Sequence, residues 1–535
     1  MNSIQNPILR GFQPDPSILR VDHDYYIATS TFEWFPGIQI HHSRDLAHWS
    51  LVARPLDRVS QLDMLGVPDS CGVWAPCLSY DNGTFYLVYT NVRTFDGPWK
   101  DTPNFMVTSR SVTGPWSDPI FLNASGFDPS LFHDDDGRKW VLNMIMDHRG
   151  GKFFGGIVLQ EYDPEAKRLV GPVSHIFGNT ELGCTEGPHL YKRQGYYYLV
   201  MAEGGTEYNH AITVARSRTI TGAYEVHPDN PMVSCAEDPE HPLQKTGHGS
   251  FVETPGGDWY VAFLTGRPLT TRGRCITGRE TAIDRFQWDE DGWPRLSCGG
   301  RMPRERVEVS HEVAPAPAPR PARDDFDRLS LDPTWQSLRI PVAEDWLSLR
   351  QRPGFLRLFG RESLNSHHYQ SLVARRVTEH HIQASCALEF SPQSYQQMAG
   401  LVCYYNSYNY HYLYVTADDQ GRRIVNVITS DNYRMTEPVP EGVLFPENGP
   451  VFMKVDYDGA ALRFYYGYSM EALLPIGPVL DGSILSDDYV CDEKNRYRPA
   501  FTGAFVGLCC QDLTGMRLHA DFDWFEYREL PRNGR

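Results

Sequence analysis

Apolar residues in the first 310 positions gather in short aromatic-rich runs set between polar turn signals. The runs are DYYIATS from Asp24, TFYLVYT from Thr84, KWVLNM from Lys139, YYYLVMA from Tyr196 and DWYVAFL from Asp258. Segments of this length and composition, bounded by Gly, Asn, Asp and Pro, are read as β-strands. Turns such as Asp81-Asn-Gly83, Asp134-Asp-Asp-Gly137 and Pro255-Gly-Gly257 make hairpins of them. Further alternating strands are expected after the hairpins, for example at 105–111 and 211–217.

A short motif precedes each run: Pro14-Asp-Pro-Ser-Ile18, Trp74-Ala-Pro-Cys-Leu78, Phe127-Asp-Pro-Ser-Leu131, Glu186-Gly-Pro-His-Leu190 and Gly247-His-Gly-Ser-Phe251. Aligning Pro16, Pro76, Pro129, Pro188 and Gly249 gives spacings of 60, 53, 59 and 61 residues. Several strands per repeat, repeated five times, predict radial blades. Residues 1–310 are therefore expected to form a five-bladed β-propeller, with the five motifs lining one central funnel. A long β-sandwich would not return the same motif to the same place in each repeat.

Ala314-Pro-Ala-Pro-Ala-Pro-Arg-Pro-Ala322 cannot continue a helix or a central strand and marks an extended linker, placed at 311–323. Beyond it, 324–535 alternates like strands at 371–375, 399–415, 423–429, 451–457, 461–466 and 503–509. That pattern predicts a two-sheet β-sandwich of the concanavalin/lectin-like kind. Asp324-Asp-Phe-Asp327 resembles Ala520-Asp-Phe-Asp523, and the two segments are expected to lie side by side. The overall fold class is all-β.

Composition sharpens this picture. With 12 Trp, 29 Tyr, 26 Phe, 45 Gly and 39 Pro, the chain favours strands and turns over a helical bundle or coiled coil. A formal net charge of −17 disfavours nucleic acid and anionic membranes as partners and suits a neutral substrate such as a sugar. No apolar run approaches the ~18 residues of a membrane helix. The N-terminal MNSIQNPILRGFQPDPS lacks the basic and apolar regions of a secretory signal, so a cytoplasmic location is expected. Eleven scattered Cys, without CxxC or zinc spacing, read as thiols of a reducing compartment.

At the recurring motif position three blades carry carboxyl groups (Asp15, Asp128 and Glu186), while the other two carry Trp74 and His248. One Asp-Pro-Ser alone is usually a turn; two copies plus Glu-Gly-Pro at blade period are not explained that way. Three carboxyl groups converging on a funnel repel one another and lose hydration, so at least one should hold its proton near neutral pH. An ionised and a protonated carboxyl group together are what acid/base hydrolysis of a glycosidic bond requires. Trp74 and Phe32 would stack on a sugar face. HExxH, GxSxG, GxxxxGK[ST] and GxGxxG are all absent.

Phe12-Gln-Pro-Asp-Pro-Ser17, Thr31-Phe-Glu-Trp-Phe-Pro-Gly37, Val73-Trp-Ala-Pro76, Phe127-Asp-Pro-Ser130, Thr185-Glu-Gly-Pro188, Gly278-Arg-Glu-Thr281 and the Ala520-Asp-Phe-Asp-Trp-Phe525 ending together resemble glycoside hydrolase family 43, in particular its two-domain β-xylosidases. The resemblance covers the whole chain. It implies inverting hydrolysis, with Asp15 as general base, Glu186 as general acid and Asp128 tuning and orienting the acid. It implies that Arg279 bonds a sugar hydroxyl near Asp15 and Asp128, and that Phe32, Trp74, Phe127, Thr206 and His248 wall the pocket. A C-terminal aromatic would close it, with Phe501 the candidate and Phe505 close enough to confuse the match. The implied activity is that of an exo-acting xylan 1,4-β-xylosidase releasing xylose from xylo-oligosaccharides. An α-L-arabinofuranosidase is the enzymatic alternative, and a non-catalytic carbohydrate-binding propeller the alternative of another class. No cofactor is required on this reading, although a divalent cation (calcium) near His248 is compatible with it. A homo-oligomer, dimer or tetramer, is expected.

Overall fold

A computed structural model describes residues 2–94, 99–446, 449–491 and 500–530. The chain divides into two compact units. Met1–Arg272 and Arg279–Pro317 make the first, and Gly273–Gly278 with Ala318–Arg535 the second. The later break lies within the Pro-rich stretch.

The first unit is a five-bladed β-propeller. Its four-stranded antiparallel sheets are blade 1 (Ser17–Val21, Asp24–Thr29, Gln39–Ser43, Ser50–Ala53), blade 2 (Gly72–Asp81, Thr84–Val92, Asn104–Ser109, Ile120–Asn123) and blade 3 (Ser130–His133, Lys139–Met146, Phe154–Asp163, Arg168–Phe177). Blade 4 (Glu186–Arg193, Tyr196–Glu203, Ala211–Ser217, Glu225–Val226) and blade 5 (Gln244–Glu253, Trp259–Gly266, Arg279–Trp288, Pro294–Leu296) complete the ring. The first strands of the blades touch one another in cyclic order, so they are the innermost ones. The outermost strands of blades 1, 2, 4 and 5 are short and escaped the sequence pattern.

The aromatic-rich runs are second strands, and their composition follows from where they lie. A blade is covered on both faces by its neighbours, so consecutive residues are buried, not alternate ones. Tyr198, Leu199 and Val200 are all at most 1% exposed. Between blades 4 and 5, Tyr198, Val200 and Val214 pack with Phe251, Phe263 and Phe286. Between blades 1 and 5, Ile18 and Ile27 pack with Tyr260, Ala262 and Ile283. Between blades 2 and 3, Val88 and Met106 meet Leu131 and Val141. The Asp134–Gly137 turn is another clamp between blades: Asp134 accepts from Lys192 Nζ at 2.5 Å and from Tyr197 Oη at 2.8 Å.

Ring closure uses the N-terminal segment. Leu9 and Thr281 exchange backbone hydrogen bonds, and the Gln13 amide donates to the Arg279 carbonyl at 2.9 Å. Buried Asn6 donates to the Ile283 carbonyl and accepts from its amide. Ser3–Gln5 also pairs with Arg306–Glu308.

The second unit is a β-sandwich. One sheet runs Leu347–Ser348, Leu356–Phe359, His519–Glu529, His381–Glu389, Val451–Asp458, Ala461–Gly467, Leu473–Asp481. The other places Arg434–Thr436, Arg423–Asp431, Asn409–Ala417, Gln397–Asn406, Phe505–Asp512, Ser371–Arg376 and Gln336–Leu338 side by side. The Tyr-rich stretch is the central hairpin of that sheet, with Tyr404, Tyr405, Tyr412 and Tyr414 at most 2% exposed. The two Asp-Phe-Asp segments meet only at their edges: Asp324 pairs with Phe525, whereas Ala520, Asp521 and Phe522 pair with Leu358, Arg357 and Leu356. Among the described residues, which include all eleven cysteines, there is no disulfide. No helix among them is long and apolar enough to cross a membrane.

Tyr198 offers a test of the inter-blade core. Its ring meets Trp288 at 4.7 Å and its hydroxyl donates to the Gly292 carbonyl at 2.6 Å. Tyr198→Ala should destabilise the propeller by about 3–5 kcal/mol, read as a lower midpoint in urea unfolding, while KM stays unchanged.

Candidate active site

The five motifs lie on the innermost strands or at their starts, and the backbone there takes unusual turns. Asp15 and Asp128 have φ of 55° and 56°, His248 has 49°, and Gly187, directly after Glu186, has 57°. A residue before proline is normally held extended, yet Asp15 and Asp128 both precede one. Left-handed conformations of this kind are unfavourable by about 1–2 kcal/mol for a residue with a Cβ. They persist where the surrounding structure over-determines them, typically at functional sites. At Asp15 and Asp128 they accompany buried carboxyl groups.

Asp15 is 5% exposed and Asp128 6%, while Glu186 is partly exposed. Ser30 Oγ donates to Asp15 Oδ2 at 2.6 Å. On the other oxygen, Asp15 Oδ1 lies 3.5 Å from Arg279 Nη1 and 3.7 Å from His248 Nδ1. The Gly187 amide donates to Asp128 Oδ2 at 3.1 Å, tying Asp128 to the backbone beside Glu186. Burial, reinforced by the negative charge of Asp15 and partly offset by Arg279, pushes the Glu186 carboxyl up to about 8. Asp128 is also raised well above the usual carboxylate range, first by burial and then by Glu186 and Asp15. Proton affinity in the cluster is thus raised on the side of Glu186 and Asp128, and the guanidinium lies on the side of Asp15.

Arg279 is itself held in place. Its Nη1 donates to Thr206 Oγ1 at 2.8 Å, and its guanidinium carbon lies 5.5 Å from the centre of the Phe32 ring. Aromatic rings wall the same space: Phe32 is 6.0 Å from Trp74, and Trp74 meets Phe127 edge-on at 5.1 Å. Trp74 Nε1 donates to the Ser70 carbonyl at 2.9 Å, which fixes the ring plane.

Nine of the residues singled out from sequence thus belong to one linked site: Asp15, Asp128, Glu186, Phe32, Trp74, Phe127, Thr206, His248 and Arg279. Phe501 belongs to the second unit and precedes its strand Phe505–Asp512. Phe505 is a fully buried residue of that strand, in register with Arg376 and Tyr404. Sequence reasoning missed Phe12, whose ring packs on Phe32 at 5.6 Å, and Ser30. Phe12 stood inside a quoted motif, whereas Ser30 carried no signal.

His248 is buried between Asp15 and its neighbours His189 and His210, which burial pushes down to about 3 each. Among the described residues no three His, Cys, Asp or Glu side chains come together as a metal site.

The family model for glycosyl hydrolases family 43 matches residues 4–294, and that for the β-xylosidase C-terminal concanavalin A-like domain matches residues 323–528. The chain belongs to glycosyl hydrolase family 43. It is similar to xylosidase/arabinosidase 43B of Humicola insolens, with 51% identity over 99% of this chain and 98% of the relative. It is 46% identical to xylan 1,3-β-xylosidase of a Vibrio species, over 98% of this chain and 99% of the other. A crystal structure of xylan β-1,4-xylosidase from Bacillus halodurans C-125 superposes with a TM-score of 0.96 at 51% identity, covering 98% of this chain and 100% of that one. The family-43 chain is a glycoside hydrolase.

The raised affinity of Glu186 for its proton has a consequence for stability. In the unfolded chain this carboxyl ionises near 4.5; in the folded protein it keeps its proton up to about 8. Between those values the unfolded state binds fewer protons, so stability contributed by this group falls as pH rises. Glu186→Gln, which has no proton to lose, should be little different from the parent below pH 4.5 and increasingly more stable toward pH 8. Thermal unfolding of both proteins across that range checks the widening gap.

Proposed function

We propose that the protein is an exo-acting, inverting β-xylosidase that releases D-xylose from the non-reducing ends of 1,4-β-xylo-oligosaccharides. The observation that carries this reading is the division of labour among the carboxyl groups: Glu186 holds a proton, and Asp15 faces a guanidinium. Glu186 acts as general acid and gives its proton to the glycosidic oxygen as that bond breaks. Asp15 acts as general base and takes a proton from the water that attacks the anomeric carbon from the opposite face. Asp128 accepts from the Gly187 amide and so holds the turn that carries Glu186. Arg279, anchored on Thr206, bonds a sugar hydroxyl beside Asp15, and Trp74, Phe32 and Phe127 pack against the apolar face of the ring.

The names of the similar proteins support xylose as the sugar released. They also include an arabinosidase activity and a 1,3-linked xylan, so a side activity on α-L-arabinofuranosides belongs to the same reading. Rates on aryl β-xyloside and aryl α-arabinofuranoside, and on 1,4- and 1,3-linked xylobiose, separate these substrates. The proposed partners are xylo-oligosaccharides.

Proton NMR of aryl β-xyloside hydrolysis, in which only one xylose is released, should show α-xylose as the first free sugar, since attack by water inverts the β-centre; β-xylose appearing first would assign a retaining mechanism instead. Asp15→Ala should lower kcat by about 10²–10⁴-fold with the fold intact by circular dichroism, and a variant with full activity would remove Asp15 from the mechanism. In the parent enzyme kcat/KM should fall as pH rises through about 8, where Glu186 loses its proton.

A further inference from the structure

Glu203 ends the second strand of blade 4 and is fully buried. Among the described residues, the partners of its carboxyl group are hydroxyl and backbone donors. The Thr180 amide donates to Oε1 at 3.0 Å, Thr180 Oγ1 to Oε2 at 2.7 Å, and Thr185 Oγ1 to Oε1 at 2.5 Å. Both ends of the 180–185 loop are thereby tied to one side chain. Three further bonds hold the loop's shape: the Gly204 amide donates to the Gly183 carbonyl, the Thr185 amide to Asn179 Oδ1, and the Leu182 amide to Thr180 Oγ1. Cys184 sits in this loop at φ 53°, a conformation that needs such support. The next residue after Thr185 is Glu186, which pairs in register with Ala202, the neighbour of Glu203.

Burying a carboxyl group is unfavourable unless every oxygen is satisfied. In this fold it immobilises the backbone that enters Glu186. We propose that Glu203 is a positioning residue for Glu186, clamping Thr180 and Thr185 so that the acid is aimed at the leaving oxygen. The inference rests on the reading of Glu186 as general acid. It acts through geometry: the groups that raise the proton affinity of Glu186 are its burial and Asp15.

The test compares a substrate that needs a proton on its leaving group with one that does not. Xylobiose needs it; 2,4-dinitrophenyl β-xyloside departs as a stable phenolate. Glu203→Ala should lose about 10²-fold in kcat/KM on xylobiose and less than about 3-fold on the dinitrophenyl glycoside, because only the proton-transfer contribution is disturbed. Glu203→Gln should restore most of the xylobiose activity, since its carbonyl accepts the same two bonds at Oε1 and its amide can donate to Thr180 Oγ1. Glu186→Gln serves as the reference and must show the selective loss itself; equal loss on both substrates there would overturn the assignment of Glu186. With that reference selective, equal losses on both substrates for Glu203→Ala, or no loss on either, would overturn the positioning role. If Glu203→Ala does not fold, Thr185→Val removes a single hydroxyl at constant volume and must give the same selective loss, or the proposal fails.

Discussion

Three carboxyl groups around one funnel repel each other, and the Arg279 guanidinium is the charge that makes their burial tolerable. It lies 3.5 Å from Asp15 and opposes the raised proton affinity of both Asp128 and Glu186. Its position depends on ring closure. The N-terminal segment hydrogen-bonds along the strand Arg279–Trp288, and Gln13, two residues before Asp15, is bonded to Arg279 itself. One pairing therefore completes the propeller and sets base and guanidinium face to face. The adjoining Glu280 strengthens that join: it accepts from the Gly11 amide and pairs with Arg267 through both oxygens.

The blades outside this centre are built for burial on both faces, and that stability carries the strain at the funnel. Positive φ at Asp15, Asp128 and His248, a proton held by Glu186 and a fully buried Glu203 are all unfavourable in isolation. They are sustained by the apolar interfaces between blades, where Tyr198, Val200 and Phe251, or Ile27 and Tyr260, are removed from water together. Such a division, with a tolerant core and a strained site, is the usual relation between stability and activity in enzymes.

Much of this was legible before any coordinates. The five motifs at near-constant spacing announced the blades, because equivalent positions in a radial repeat must point at one axis. Asp15, Asp128 and Glu186 stood out for that reason, and Trp74 and His248 took the two remaining places. Arg279 and Thr206 were different: they came from the resemblance, since a lone Arg or Thr has no period to betray it. Ser30 and Glu203 were invisible. Each acts through a partner 15 to 23 residues away in sequence, Asp15 for one and Thr180 and Thr185 for the other, and neither distance carries a pattern.

The sequence by itself determined the all-β class, the five-fold repeat, the Pro-rich divide and the family, because strand composition, turn chemistry and repeat period are local properties of a chain. Tertiary structure alone decided which carboxyl group keeps its proton and which faces a positive charge. Those properties depend on burial and on distances of a few ångströms between residues far apart in the sequence, where the Coulomb energy changes steeply and no local pattern records it.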